Sequence, residues 1–307
     1  MASYTPVTLP YFAPAHTLPA PLPTLEEALS SPEFLKRPYY DRDELNTYVA
    51  RVGEHFIVKY GKAVNSIEGE NMLFVKQHTT ILVPAVYAMY TYDDDDGEKT
   101  MIIMEFIQGL LLNDFKYMLN SESTRAIIAQ LRAQVNQLRQ IPAPAYYGTL
   151  GHRPFTDCYS GRKYGPFDSF ADLVDSAFDT AYPPEDSEHL AEVKKFFRGS
   201  LYSVATALGH SAPVFTHSDI HEENVVVRPD GTPVIIDYQL AGFYPTYHEY
   251  VVSRELNRFH PFLDEEFPRE REIIDDAIYA LIKADHEHRT AEKQRLLRMD
   301  VESENTE

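Results

Sequence analysis

The run His217-Ser-Asp219-Ile-His-Glu-Glu-Asn224 leads straight into the apolar triplet Val225–Val227, a turn at Arg228-Pro-Asp-Gly231, and a second apolar strand that ends in Ile235-Ile236-Asp237. No other feature limits the possible folds as strongly. Two short apolar strands around a Pro-Asp-Gly turn form a hairpin. Its entry carries a carboxylate and a carboxamide five residues apart, and its exit carries a second carboxylate. A strand that runs directly into an aspartate gains nothing from core packing, because burying an unpaired carboxylate is expensive. The pattern makes sense if the hairpin delivers that aspartate to a cleft. Oxygen donors of this type suit a hard cation such as Mg2+. Together with a carboxylate that can orient and deprotonate a hydroxyl, they form the set that phosphoryl transfer requires.

Hydrophobic periodicity divides the rest of the chain into a sheet region and a helical region. The segment TYVARVG from Thr47 alternates apolar and polar residues, GEH offers a turn, and HFIVKYG reads as a second strand carrying Lys59. The segment SIEGENMLFVKQH reads as a helix capped by Ser66, with Gly69 a weak point inside it. Next, VPAVYAMYTY and TMIIMEFI form a hairpin around DDDDGEK. After Gly109, Ile127, Ile128, Leu131, Val135 and Leu138 recur at helical spacing and predict a helix over 124–139. Residues 141–168 are rich in Pro, Gly and Tyr and read as irregular, and helices are expected at 169–180, 187–208, 247–257 and 269–288. Thr24 is placed to cap a short helix to Ser30, after a Pro-rich arm. The expected class is α+β with two lobes. Residues 1–37 form an extended N-terminal arm, 38–108 a small antiparallel sheet with one helix, 109–290 a mainly helical lobe, and 291–307 a polar tail.

Composition removes several alternatives. With 28 Lys and Arg against 47 Asp and Glu, the formal net charge is −19, which argues against nucleic acid as a partner. That acidity suits a cationic small molecule, but solubility is the better account of it. Cys158 is the single cysteine, so no internal disulfide can form, and it reads as an ordinary reduced thiol. The start lacks a basic segment followed by a long apolar run, and no stretch has the length and hydropathy of a membrane span. A cytoplasmic location is therefore expected. His217 and His221 are four apart, but Ser218 stands where a zinc protease needs Glu, so the pair is not read as a metal site. The Asp93–Asp96 run before Gly97 fails as a calcium loop, because Tyr92 and Ile103 fall where acids are required.

The two segments HSDIHEEN and IIDYQLAGFYP resemble the signature of aminoglycoside phosphotransferases, choline kinases and their relatives, and most closely the fungal-type proteins with an aminoglycoside-phosphotransferase domain. The resemblance spans roughly residues 45–260. It implies a protein kinase-like fold and an ATP- and Mg2+-dependent transfer of phosphate to a hydroxyl of a small molecule. By that match Asp219 is the catalytic base, Asn224 and Asp237 are Mg2+ ligands, and His217 braces the catalytic loop. Lys59 matches the strand lysine that contacts nucleotide phosphates, paired with Glu70 or, as the alternative, Glu68. TMIIMEFIQG resembles the connector that binds adenine, with Met104 lining the back and Glu105 C=O and Ile107 N–H making the bonds. The chain departs from the family in two respects. No glycine-rich phosphate loop is visible, Gly53 reading as a hairpin turn, and Tyr238 stands where the family often has Trp. The short segment after Asp237 does not suit a protein acceptor. The acceptor pocket is expected along Tyr146–Phe167 and Tyr247–Glu255, with Asp157 and Glu249 as candidate contacts for a cation. A kinase-fold protein without catalysis is the alternative.

Overall fold

The computed structural model describes residues 4–35, 47–94, 97–156, 162–181, 188–253 and 266–283. Six strands form one antiparallel sheet: β1 (Tyr11–Phe12), β2 (Glu33–Phe34), β3 (Thr47–Val52), β4 (Phe56–Gly61), β5 (Val86–Asp94) and β6 (Gly97–Glu105), in the order β1-β5-β6-β4-β3-β2. The β3–β4 turn uses Gly53 at φ 62°, in the left-handed region that glycine enters without a steric penalty. The two-residue period separates the faces of the sheet. Val58, Met101, Ile103 and Ala88 pack on one side with Ala28 of helix α1 (Leu25–Leu29). Ile102, Met104 and Met89 pack on the other side, within the main core.

Helix α1 starts in a full capping box. The Glu27 N–H donates to Thr24 Oγ1 at 3.2 Å, and the Thr24 N–H donates to Glu27 Oε2 at 2.7 Å. The N-terminal arm is extended for most of its length, and it docks. Tyr11 and Phe12 add a strand to the free edge of β5, opposite Met89 and Ala88.

Helix α2 (Ile67–His78) crosses between the sheet and the rest of the chain. Ser66 does not cap it. The Ile67 N–H is taken by Asn65 Oδ1 at 3.0 Å, and Ser66 Oγ turns to Glu70 instead. The helix lies so close to β5 that a Cβ on Gly69 would come 2.1 Å from Met89 Sδ. Met89 is fully buried. The expected result for Gly69→Ala is therefore a net loss of stability of about 1–3 kcal/mol by urea unfolding, because overpacking outweighs the gain in helix propensity. A stabilised variant would show that α2 can shift away from the sheet.

The second half is mainly helical. Strand β7 (Leu110–Leu111) follows the connector and leads into α3 (Leu112–Phe115) and α4 (Ser121–Arg139). Asn120 caps α4 through its side chain, and Ile127, Leu131, Val135 and Leu138 face the core, as their spacing predicts. Short strands β8 (Phe155–Thr156) and β9 (Lys163–Tyr164) pair with each other. Helices α5 (Phe170–Ala181) and α6 (Glu188–Ala207) follow, then β10 (Pro213–Thr216). The hairpin β11 (Val225–Val227) and β12 (Pro233–Ile235) joins β7 in a three-stranded sheet. Strand β13 (Gly242–Pro245) pairs with β10, and α7 (His248–Val252) and α8 (268–283) end the described chain. Helix α4 clamps the β11–β12 turn: Gln130 Nε2 donates to Gly231 O at 3.2 Å and Gln134 Nε2 to Pro233 O at 2.8 Å. Phe74 of α2 packs on Phe215 of β10 at 5.3 Å, so one core runs from the sheet into the helical part. No described helix is long and apolar enough to cross a membrane.

Candidate active site

The β11–β12 hairpin brings Asp219, Asn224 and Asp237 to one place. The Ile236 N–H donates to Asn224 O at 2.9 Å and ties the end of the hairpin to its beginning. Asn224 is fully buried, and its Nδ2 donates both to Asp219 O and to Asp219 Oδ2, each at 2.9 Å. The carboxylate next to it is thereby fixed in direction. His221 Nε2 lies 3.5 Å from its other oxygen, and the Asp219 side chain is 31% exposed, so a solute can reach it.

His217 is fully buried beneath this loop. Its Nε2 faces Ile236 O at 3.1 Å, and the Asp219 N–H points to its Nδ1 at 3.3 Å. A carbonyl only accepts and an N–H only donates, so the neutral Nε2–H tautomer satisfies both. Burial pushes its pKa down, in keeping with that neutral form. Ser218 and Asp237 both take positive φ, 71° and 64°. Non-glycine residues in this region store about 1–3 kcal/mol of strain each, and such residues concentrate at functional sites. Here they turn the chain sharply before Asp219 and directly after β12.

Lys59, in the middle of β4, reaches across to the same point. Its Nζ lies 2.6 Å from Glu68 Oε2 and 3.0 Å from Asp237 Oδ1. All three side chains are nearly inaccessible. The glutamate that meets Lys59 is therefore Glu68, not the expected Glu70. Positions two apart on an α-helix lie about 200° apart around its axis, so only one of the two can face the sheet lysine. Asn71, three residues after Glu68, shares its face. It is fully buried, and its Nδ2 donates to Tyr238 O at 2.8 Å and Ala241 O at 3.1 Å. One face of α2 thus holds both Lys59 and the loop that follows Asp237.

The connector after β6 packs on the β11–β12 hairpin. Met104 and Ile107 are buried, Ile107 against Val226 and Val234 of the hairpin. The Phe106 N–H donates to His55 O at 2.8 Å. The Glu105 carboxylate accepts the Ala85 N–H at 3.2 Å and lies 3.5 Å from Arg228 Nη2, bracing the connector to both parts of the molecule. At Gly109 a Cβ would sit 2.4 Å from Val227 O, so only glycine lets the connector pass this close to the hairpin.

Glu249, a candidate contact for a cation, is 1% exposed and turns its carboxylate to the backbone instead. Its Oε2 accepts the N–H groups of His217 at 2.8 Å and Ser218 at 3.2 Å, so it anchors the backbone that carries Asp219. Its Oε1 is buried with no hydrogen-bond partner among the described residues. Burial raises its pKa to about 7, against the lowering by those two backbone N–H groups and Arg139. A carboxyl that binds its proton more tightly when folded stabilises the fold below its ordinary value near 4.5, and that contribution is lost as pH rises through about 7. Glu249→Gln keeps an acceptor for both N–H groups and removes the titration. Between pH 4.5 and 7, the wild-type stability relative to this variant is expected to fall with a slope approaching about 1.4 kcal/mol per pH unit, read from urea unfolding at several pH values. A flat difference would mean Glu249 titrates at an ordinary pKa. Nearby His248, held by burial at about 3, slopes the other way but cancels in the comparison.

Asp157 and Cys158 lie outside the described residues, as does most of the β2–β3 connection. Sequence patterns gave no signal for Asn71 or for Arg153, which meets Glu70 from the helical part. A helical-wheel placement of 68, 70 and 71 would have separated Glu68 and Asn71 from Glu70.

The sequence profile of the phosphotransferase enzyme family (APH) matches residues 39–281. No curated protein sequence matches the chain significantly. Among solved structures, the fold is similar to the GDP complex of wild-type aminoglycoside 2'-phosphotransferase-IIIa, at 16% identity over 87% of this chain and 91% of that one, with a TM-score of 0.53. It is also similar to aminoglycoside phosphotransferase APH(4)-Ia, at 14% identity over 85% and 95% of the two chains, with a TM-score of 0.51. The fold is α+β, bilobal and protein kinase-like.

Proposed function

The chain belongs to the phosphotransferase enzyme family, and from that premise we propose that it moves the γ-phosphoryl group of ATP to a hydroxyl of a small molecule. The observation that carries this reading is the meeting of Lys59, Glu68 and Asp237 from the sheet, α2 and the hairpin, within reach of an oriented and accessible Asp219. A purely structural ion pair has no need of the solvent-facing carboxylate beside it.

Asp237 and the amide oxygen of Asn224 are donors that fit Mg2+, which takes hard oxygen ligands. Among the described residues no cluster of three or more His, Cys, Asp or Glu is placed to hold a metal. Mg2+ commonly uses one or two protein ligands and completes its shell with phosphate oxygens and water. When bound, the ion would neutralise charge developing on the phosphates.

The chain's own groups divide the remaining work. The Lys59 ammonium, steadied by Glu68, faces the α- and β-phosphates. Met104, with the main chain of Glu105 and Ile107, receives the adenine. Asn224 Nδ2 holds the Asp219 carboxylate toward the acceptor. Asp219 accepts the hydroxyl proton as the oxygen forms its bond to phosphorus and the bond to the ADP oxygen breaks. His217 and Glu249 hold the loop from beneath.

The test is ATP consumption by the purified protein, with Mg2+, against a panel of small alcohols and amino alcohols, beside thermal unfolding with and without ATP and Mg2+. Mg2+-dependent stabilisation by ATP and turnover with at least one acceptor are expected. A protein with no response to nucleotide is not a phosphotransferase.

A further inference from the structure

Glu68 and Asn71 occupy the face of α2 that meets the nucleotide site, and Glu70 lies on the opposite face. Its side chain is only 4% exposed, yet it is ringed by donors. Arg153 grips it with both terminal nitrogens, Nη1 to Oε1 at 3.1 Å and Nη2 to Oε2 at 2.9 Å. Ser66 Oγ lies 3.2 Å from Oε1, and the Tyr4 hydroxyl donates to Oε2. Arg153 Nη2 also donates to the Tyr4 oxygen at 3.1 Å. Arg153 is itself held in the helical lobe, its Nε donating to Leu150 O at 2.7 Å. The Tyr4 ring stands edge-on to Phe74 at 6.2 Å, and a Cβ on Gly151 would come 3.0 Å from it. Three segments distant in sequence therefore converge on one buried carboxylate.

We propose that Tyr4, Glu70 and Arg153 form a clasp between the lobes that sets the position of α2, and through it the grip of Glu68 on Lys59 and of Asn71 on the loop after Asp237. This rests on the reading of that group as the nucleotide site. Geometry connects the clasp to the site. Helix α2 runs over Ile67–His78, and its two faces hold different groups: one the sheet lysine and the loop after Asp237, the other the 150–153 loop and the N-terminal arm. A bidentate guanidinium–carboxylate pair fixes direction as well as distance. The arm that supplies Tyr4 then enters the sheet as β1, so the same segment fastens both lobes. Tyr4 and Arg153 are positioning residues, acting through the helix.

The experiment uses the full chain with Tyr4→Phe, Arg153→Met and Arg153→Lys. It measures the Kd for ATP-Mg2+, the KM for ATP and for the acceptor, and amide hydrogen exchange over 67–78 and 238–241. Arg153→Met is expected to weaken ATP-Mg2+ by about tenfold and to speed exchange in both segments. Tyr4→Phe, which keeps the ring packing and the fold, is expected to weaken ATP-Mg2+ by about threefold, and Arg153→Lys to recover part of the loss through charge without the fork. If the variants unfold more easily yet bind ATP-Mg2+ as the wild type does, with unchanged exchange at 238–241, the clasp is structural only and the proposal is wrong. If the wild type binds no nucleotide, the nucleotide-site reading fails by itself. Exchange over 67–78 and 238–241 then still decides the clasp: faster exchange in Tyr4→Phe supports it, and unchanged exchange defeats it.

Discussion

Asp219→Asn is expected to lower kcat by about 10²–10⁴-fold, the usual contribution of a positioned general base, while leaving the Kd for ATP-Mg2+ nearly unchanged. Asparagine fits the same space, and its amide oxygen can still accept from Asn224 Nδ2, as Asp219 Oδ2 does now at 2.9 Å. The second bond from Asn224, to the main-chain oxygen of residue 219, does not involve the side chain at all. The loop should therefore stand as before. With about a third of the side chain in solvent, the change in folding stability is expected to stay below about 1 kcal/mol. What the variant lacks is basicity: an amide cannot take the hydroxyl proton. Steady-state kinetics with the acceptor found by screening, together with nucleotide titration, separate the two effects. If Asp219→Asn kept wild-type kcat, proton transfer would have to go elsewhere, and the assignment of the base would fall.

The β11–β12 hairpin was readable from sequence because everything that shapes it is local. Two apolar triplets, a Pro-Asp-Gly turn and the polar residues at either end are contiguous, and strand alternation with turn chemistry is enough to place them. The Thr24 cap was legible for the same reason. The partner of Lys59 was not. Glu68 and Glu70 have the same chemistry and flank a glycine, and the choice depends on which face of α2 meets the sheet. That face is set by Gly69, whose missing Cβ lets the helix settle on Met89, a contact between residues twenty apart in sequence. Ser66 failed as a cap because it already takes helical backbone angles and its Oγ turns to Glu70. The arm offered no periodicity, since a strand of two residues at a sheet edge is too short to alternate. Arg153 sits in an irregular segment, where only the tertiary fold shows that its guanidinium has a buried carboxylate to meet.

Lys59→Met should be both inactive and unstable, and the instability should be curable while the inactivity is not. Glu68 and Asp237 are both nearly inaccessible, and the lysine is the cation between them. Without it two carboxylates are left facing each other in a low-dielectric site. Breaking a buried pair in this way costs about 3–5 kcal/mol, because a charge remains without its partner. Glu68→Gln in the same chain removes one of the stranded charges and should restore much of the stability. The double-mutant cycle is expected to show a coupling energy above about 1 kcal/mol, as for residues in direct contact. Transfer should remain depressed by about 10²–10³-fold in both Lys59 variants, the scale of losing one preorganised donor to a charged transition state. Glu70→Gln with Lys59→Met is the control, since Glu70 faces Arg153 and should not rescue stability. Urea unfolding of the four variants decides the matter. Rescue by Glu70→Gln but not by Glu68→Gln would reverse the assignment of the lysine's partner, and additivity of the Lys59 and Glu68 changes would show that the ion pair carries no coupling.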